Sequence, residues 1–269
     1  METKFSIEKQ ANFYLELMDM ENDNLPLEWE VSFNPEQIKR WGQGESALAV
    51  APPEVDAERI FTQFCLVAKA CQKWQVGPQP VTDQFITTLE ELDKPQRHQL
   101  ISSLLQVDGN KAKWVKKLNV SSSQLEYIAG NTFKPLLKAY AKIVLGQVPI
   151  SDWDKSYCPV CGDQPTIAKL TGEDGHRRLH CGRCETDWRF SRLGCPYCNN
   201  VADETYFITL DNKKEYRVYL CDSCKSYLKT VDERITGEVD LFCEDLATTE
   251  LDNLVQAEGY RRGAGREQL

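Results

Sequence analysis

Eight of the chain's eleven cysteines stand in four CxxC pairs: Cys158 with Cys161, Cys181 with Cys184, Cys195 with Cys198, and Cys221 with Cys224. A CxxC segment can wrap a tight turn around one metal ion, with both sulfurs pointing inward and turn N–H groups pointing at them. Two such turns supply the four thiolates of a tetrahedron. The pairs are separated by 19 residues from Cys161 to Cys181, 10 from Cys184 to Cys195, and 22 from Cys198 to Cys221. The first and third gaps match a ribbon site of two CxxC turns, the third being slightly long.

An internal repeat supports pairing the first turn with the second and the third with the fourth, since the halves align 37 to 40 residues apart. The leading turns read CPVCG (158–162) and CPYCN (195–199); Gly and Asn are the residues that most easily accept a left-handed backbone. The trailing turns read CGRCETDW (181–188) and CDSCKSYL (221–228). Arg177 and Arg217 each stand four residues before a trailing turn, with an alternating pattern between, as in a strand entering the turn. An interleaved pairing would require no such likeness between halves. Disulfide exchange is the competing chemistry for a CxxC, but it uses a single motif on a strand-to-helix turn, and four motifs in tandem argue against it.

Four thiolates accept zinc or a single iron, and the ligand type does not choose between them. His176 and His180 lie between the first two turns, but each site already has four cysteines, so both are read as surface or packing residues. Cys65, Cys71 and Cys243 have no pairing partner by spacing and are read as small buried hydrophobes. A ribbon of about 40 residues has too little core to fold alone, so metal should supply much of its folding free energy.

The elements that must carry these turns change in texture near residue 150. Before it, Ile60, Phe64, Val67, Cys71 and Trp74 recur at helical steps between Glu54 and Trp74. Segments 81–92 and 95–106 behave likewise, with a break at the LDKP between them. Ser123 with Glu126 has the form of a capping box, and Asn131 to Leu145 carries a further helical stripe, in which Pro135 is tolerable only near the helix start. The stretch 22–53, rich in proline, reads as irregular with short helical pieces, its Trp29, Phe33 and Trp41 pinning it to the helices. After Asp232 helical spacing returns through Val239, Phe242, Leu246, Leu251, Leu254 and Val255, and RRGAGREQL at the end reads as frayed.

The expected class is α+β: an all-helical domain (1–150), two tandem metal ribbons (151–193 and 194–232), and a C-terminal helix with its tail (233–269). Lys and Arg number 32 against 41 Asp and Glu, a formal net charge of −9. That balance disfavours nucleic acid and anionic membranes as partners. Arg177, Arg178, Arg183, Arg189 and Arg192 are nearly cancelled by Asp163, Glu173, Asp174, Glu185 and Asp187. The first residues hold no basic start followed by an apolar run, and no eighteen apolar residues occur in succession, so an unexported protein without membrane insertion is expected. No phosphate-binding loop, dinucleotide fingerprint, HExxH or GxSxG occurs, and no enzymatic activity is expected.

The runs YCPVCGDQP (157–165), LHCGRCETDWRFSRLGCPYC (179–198), CDSCKSYLKT (221–230) and EDLATTELDNLVQAEGYRR (244–262) closely resemble the FdhE family of formate dehydrogenase accessory proteins. The resemblance covers the C-terminal half; the helical half matches only in general character. It implies a cytoplasmic assembly factor for respiratory formate dehydrogenases that contacts the catalytic subunit and does not itself oxidise formate. It also implies two rubredoxin-like domains, with the eight cysteines as ligands of two mononuclear irons, zinc being the alternative. Thr186, Trp188 and Arg192 match the family's CxTxW…R pattern, and Leu251, Asp252, Glu258, Gly259 and Tyr260 its C-terminal pattern. Packing and backbone hydrogen bonding are the plainer roles for these residues. Glu185 and Lys225 depart from rubredoxin-type turns, where Gly often follows the second Cys, so these two turns are expected to be less regular or strained. A rubredoxin-like electron-transfer or redox-sensing protein is the alternative function, and a homodimer is left open.

Overall fold

A computed structural model describes residues 7–24, 31–106, 110–200, 205–210 and 213–263. In chain order the helices are α1 (Ile7–Asn24), α2 (Pro35–Gly42), α3 (Ala47–Val50), α4 (Ala57–Trp74), α5 (Asp83–Glu90), α6 (Lys94–Leu105), α7 (Ala112–Leu118), α8 (Ser122–Val144), α9 (Glu233–Thr236), α10 (Leu241–Ala247) and α11 (Thr249–Ala257). The strands are β1 (Ile167–Thr171), β2 (His176–His180), β3 (Asp187–Arg189), β4 (Thr205–Leu210), β5 (Lys213–Cys221), β6 (Ser226–Asp232) and β7 (Arg261–Arg262). Two compact units result, one within Met1–Val31 and Pro52–Tyr140, the other within Ser32–Ala51 and Ala141–Leu269. The helical N-terminal region and the mixed class follow the expectation.

In the first unit, Asp56 starts α4 by accepting the N–H groups of Glu58 (3.0 Å) and Arg59 (3.1 Å), satisfying donors that have no intrahelical partner. The expected stripe of Ile60, Phe64, Val67 and Cys71 is buried. Trp74, at its end, is half-buried and donates from Nε1 to Glu16 of α1 at 2.6 Å. The break at LDKP is a helix start, where Asp93 and Gln96 form a reciprocal capping box ahead of Pro95. The capping box expected at Ser123 and Glu126 does not form. Ser121 Oγ accepts the Gln124 N–H at 3.2 Å instead, and Glu126 turns to Lys111 at 3.4 Å. Starting α8 at Ser122 puts Leu125 and Ile128 on the buried stripe with Phe133, Leu136 and Leu137. The helix therefore runs through Pro135 in its interior, where burial on both sides of the proline offsets the lost hydrogen bond.

The second unit is built on one seven-stranded sheet in the order β3-β2-β1-β6-β5-β4, with β7 also against β6. The first ribbon is the antiparallel set β1, β2, β3, and the second is β4, β5, β6. They fuse where β1 and β6 run parallel, Ile167 opposite Lys229 through Leu170 opposite Asp232. Val218, Leu220, Tyr227, Leu251, Val255 and Tyr260 form a core between β5, β6 and α11. Ile167, Val231 and Leu241 extend it towards α10.

The single C-terminal helix of the expectation is three pieces, because Gly237 (φ +76°) ends α9 and Thr248 caps between α10 and α11. Leu241 is buried where Phe242 was expected, Leu251 and Val255 are buried, and Leu254 stays 46% exposed. Arg261 and Arg262 are not frayed: they pair with Ser226 and Tyr227, which gives the backbone of β6 a second partner there. Trp29 and residues 264–269 lie outside the described residues.

Candidate metal centres

Three of the four CxxC turns share one hydrogen-bonded plan, and all four share its left-handed closing residue. The residue after the second Cys donates back to the carbonyl of the first, from Gly162 to Cys158 (2.9 Å), Glu185 to Cys181 (2.8 Å) and Asn199 to Cys195 (3.0 Å). The first Cys in turn donates to the residue five places on, from Cys158 to Asp163, Cys181 to Thr186 and Cys195 to Asn200, while Cys221 pairs with Ser226 in the sheet. Closing such a turn needs a left-handed residue, and Gly162 (φ +79°), Glu185 (+57°), Asn199 (+57°) and Lys225 (+54°) all supply it. The first trailing turn is thus as regular as the leading ones, and the second keeps their left-handed residue. Both carry the strain of an L-residue with a Cβ in that conformation.

These turns bring Cys158, Cys161, Cys181 and Cys184 together in one cluster, and Cys195, Cys198, Cys221 and Cys224 in another, with all sulfurs of a cluster within 4.8 Å of one another. The donor sets fit a tetrahedral ion. A metal–sulfur bond of about 2.3 Å implies sulfurs about 3.8 Å apart along a tetrahedral edge. Across the second cluster, Cys195 to Cys224 and Cys198 to Cys221 are each 3.7 Å, and in the first, Cys158 to Cys184 and Cys161 to Cys181 are each 3.4 Å. None of the eight is bonded to another sulfur. Four thiolates of like charge at this spacing would need a cation among them, which is what a bound metal would supply.

The first cluster is enclosed, each of its cysteines being at most 1% exposed. Part of the enclosure comes from a segment more than a hundred residues earlier in the chain. Ala47 and Leu48 at the start of α3 donate their N–H groups to the carbonyls of Pro159 (2.9 Å) and Val160 (2.8 Å). Trp41 Nε1 also donates to Pro159 O at 3.0 Å, and its ring lies 5.0 Å from that of Trp153. Trp41, expected to pin its segment to the helices, is seen to pin it to the first leading turn, where a carbonyl needs a donor. Thr186 Oγ1 lies 3.2 Å from Cys184 Sγ, and the buried Trp188 donates to Lys155 O at 3.0 Å.

The second cluster is open. Cys198 is exposed and Cys224 half-buried, and Cys195 and Cys221 border a cavity of about 780 Å³. Its floor is the sheet face opposite α11, with Phe207, Arg217, Tyr219 and Leu228, and its rim includes Arg192 and Leu193. The repeat-related arginines converge behind it. The Arg217 guanidinium lies 5.0 Å from the Phe207 ring and donates to Asp232 at 2.8 Å. The Arg177 guanidinium is buried, 5.7 Å from the Tyr219 ring, and donates to Gly194 O at 2.9 Å. Burial pushes it down to about 10, which leaves it charged at neutral pH.

Neither histidine joins a cluster. His176 is exposed, and His180 Nδ1 meets Asp187 at 2.6 Å. Burial raises the Asp187 carboxyl, but the hydrogen bonds of His180 and Lys169 outweigh it and hold the group below its usual range. Arg192 donates to Asp174 O at 2.8 Å, a backbone role. Cys71 is buried and Cys65 half-buried, and burial raises their thiols to about 12 and about 11. Cys243 is exposed, because α10 turns Leu241 inward instead.

Composition gave no sign of Lys229. Its ammonium is 2% exposed and sits between Asp252 (2.6 Å) and Asp245 (2.8 Å), with the carbonyl of Asp245 also at 2.8 Å. Asp252 also accepts from Tyr227 Oη at 2.7 Å, and Tyr260 Oη donates to Asp222 at 2.6 Å. The C-terminal residues singled out by pattern thus dock helix on sheet.

Residues 157–192 match the family described as FdhE, central domain, and residues 193–269 that described as FdhE, C-terminal domain. Over 235 residues the chain is 28% identical to the "Protein FdhE homolog" of Aquifex aeolicus, covering 86% of this chain and 77% of that one. It is 32% identical over 112 residues to "Protein FdhE" of Escherichia coli K12, a match that spans 41% of this chain and 36% of the relative's length. The fold is similar to the crystal structure of the FdhE protein from Pseudomonas aeruginosa, with a TM-score of 0.57, 19% identity, and coverage of 95% of this chain and 85% of that one.

Proposed function

Since residues 157–269 make the chain a member of the FdhE family, we propose that it is an accessory protein required for assembly or maturation of active respiratory formate dehydrogenase, acting by binding the catalytic subunit. The observation that carries the reading is the pair of four-thiolate clusters held within the family's central and C-terminal domains. The eight cysteines hold two metal ions, iron in our reading and zinc in the alternative, and the ions lock the ribbons 151–193 and 194–232 into shape. The chain acts in the cytoplasm and has no catalytic constellation of its own. Among the described residues no helix is long and apolar enough to cross a membrane, which fits a partner reached from the aqueous side.

Co-purification of the tagged chain with the formate dehydrogenase catalytic subunit tests the binding. A deletion strain with undiminished formate dehydrogenase activity would sink the proposal. Metal analysis of anaerobically purified protein with its visible spectrum separates iron, which gives thiolate charge-transfer bands, from colourless zinc. The exposure of Cys198 favours a second reading, electron transfer or redox sensing at the second centre. Tightly bound zinc with no iron would exclude it.

A further inference from the structure

The two clusters have the same ligands and similar turns, yet their surroundings differ. The first is closed on all sides: its four cysteines are at most 1% exposed, α3 and Trp41 hold its leading turn, and Trp188 is buried beside its trailing turn. The second has one exposed ligand, Cys198, and one half-buried ligand, Cys224. Its other two, Cys195 and Cys221, border the cavity of about 780 Å³. A closed four-ligand site is the form structural metal takes, whereas reactive metal requires a position that an incoming ligand can reach.

The cavity has a charge preference. In a chain of net charge −9, its lining among the described residues carries Arg192 and Arg217 and no carboxylate. Arg217 Nε is buried and has no acceptor among the described residues. Phe207, Tyr219, Leu193 and Leu228 make the rest of the wall apolar. Asp232 is shared by Arg217 and Arg234 and so balances only one of them, and Arg192 stands exposed at the rim, so these charges sum to positive and favour an anion.

Resting on the reading that both clusters hold metal, we propose that the two centres divide their work. The first is a closed structural site, and the second is an exchange-competent site whose metal an anionic ligand reaches through the cavity. Of its four ligand residues Cys198 is the exposed one, and Cys195 and Cys221 are those that meet the cavity. With a metal bound, a donor atom of the anion would replace one thiolate, which would take up a proton from water on leaving; no electrons would change hands.

The test uses the full chain loaded with two equivalents of zinc and challenged with 4-(2-pyridylazo)resorcinol, an anionic chelator. One equivalent should leave roughly tenfold or more faster than the other, the scale on which a metal site's surroundings alter its affinity. Alkylation with N-ethylmaleimide during the fast phase, read by mass spectrometry, should label Cys195, Cys198, Cys221 and Cys224 before Cys158, Cys161, Cys181 and Cys184, and this requires no variant. Arg192→Glu should slow release to the anionic chelator and leave release to neutral 1,10-phenanthroline unchanged. Two equivalents leaving at one rate, or labelling that starts in the first cluster, would overturn the division of work. Equal slowing for both chelators would overturn the anionic approach. A chain that takes up no zinc, iron or cobalt would overturn the metal reading itself.

Discussion

Glu185 and Lys225 carry a side chain where the turn plan calls for a left-handed backbone, a conformation that costs an L-residue about 1–2 kcal/mol. Glu185→Gly should therefore raise the urea midpoint of the metal-loaded protein by an amount equivalent to about 1 kcal/mol, partly offset by the greater freedom of glycine in the unfolded chain. An unchanged or lower midpoint would mean that the side chain's contacts outweigh the strain. Lys229 is the opposite case, a buried cation whose partners are already in place. Removing it as Lys229→Ala leaves Asp252 without its cation, while Asp245 keeps Arg262, and should cost about 3 kcal/mol in chemical denaturation. Combining Lys229→Met with Asp252→Asn should recover much of that loss, since the pair then leaves together. The gathering of the eight cysteines into two groups of four was legible from spacing and the internal repeat, because four sulfurs on two turns leave little freedom. Lys229 was not, because a lysine in a strand normally points to water, and only the docking of α11 turns its surroundings acidic.

At the scale of elements, β6 leads into α9 through Asp232, which Arg217 and Arg234 hold from two sides. The hydrogen bonds from Arg234, with both arginine charges, set its carboxyl below the usual range despite burial. A lowered folded value stabilises the fold above the unfolded pKa of about 4 and loses that contribution as pH falls through the folded value. The stability difference between wild type and Asp232→Asn should accordingly be full at pH 7 and shrink progressively below about pH 4, as measured by urea midpoints across that range. Helices α4, α5 and α6 followed their periodicity closely, since their caps are local. Two elements did not. α8 started earlier than its proline suggested, because the burial of Leu125 and Ile128 outweighed a local rule. The segment of α2 and α3 looked irregular because what it binds, the carbonyls of Pro159 and Val160, lies far along the chain and leaves no periodic trace.

At the scale of the molecule, metal and core are divided unevenly. The first unit carries its own buried apolar stripes, whereas the second relies on two clusters of thiolates as well as the core beneath α11. Exhaustive chelation should abolish protease resistance within 151–232 while the helical circular dichroism of the first unit persists; near-native resistance after full metal removal would contradict structural metal. The parallel seam between β1 and β6 has a further consequence, in time. During synthesis the first ribbon emerges with the edge of β1 bare, and the strand that covers it, β6, starts only at Ser226, well after β3 has ended at Arg189. An uncovered strand edge invites pairing with another chain. A nascent chain stalled between Thr171 and Ser226 is therefore the most aggregation-prone form of this protein, and early closure of the first centre limits that exposure to a single edge.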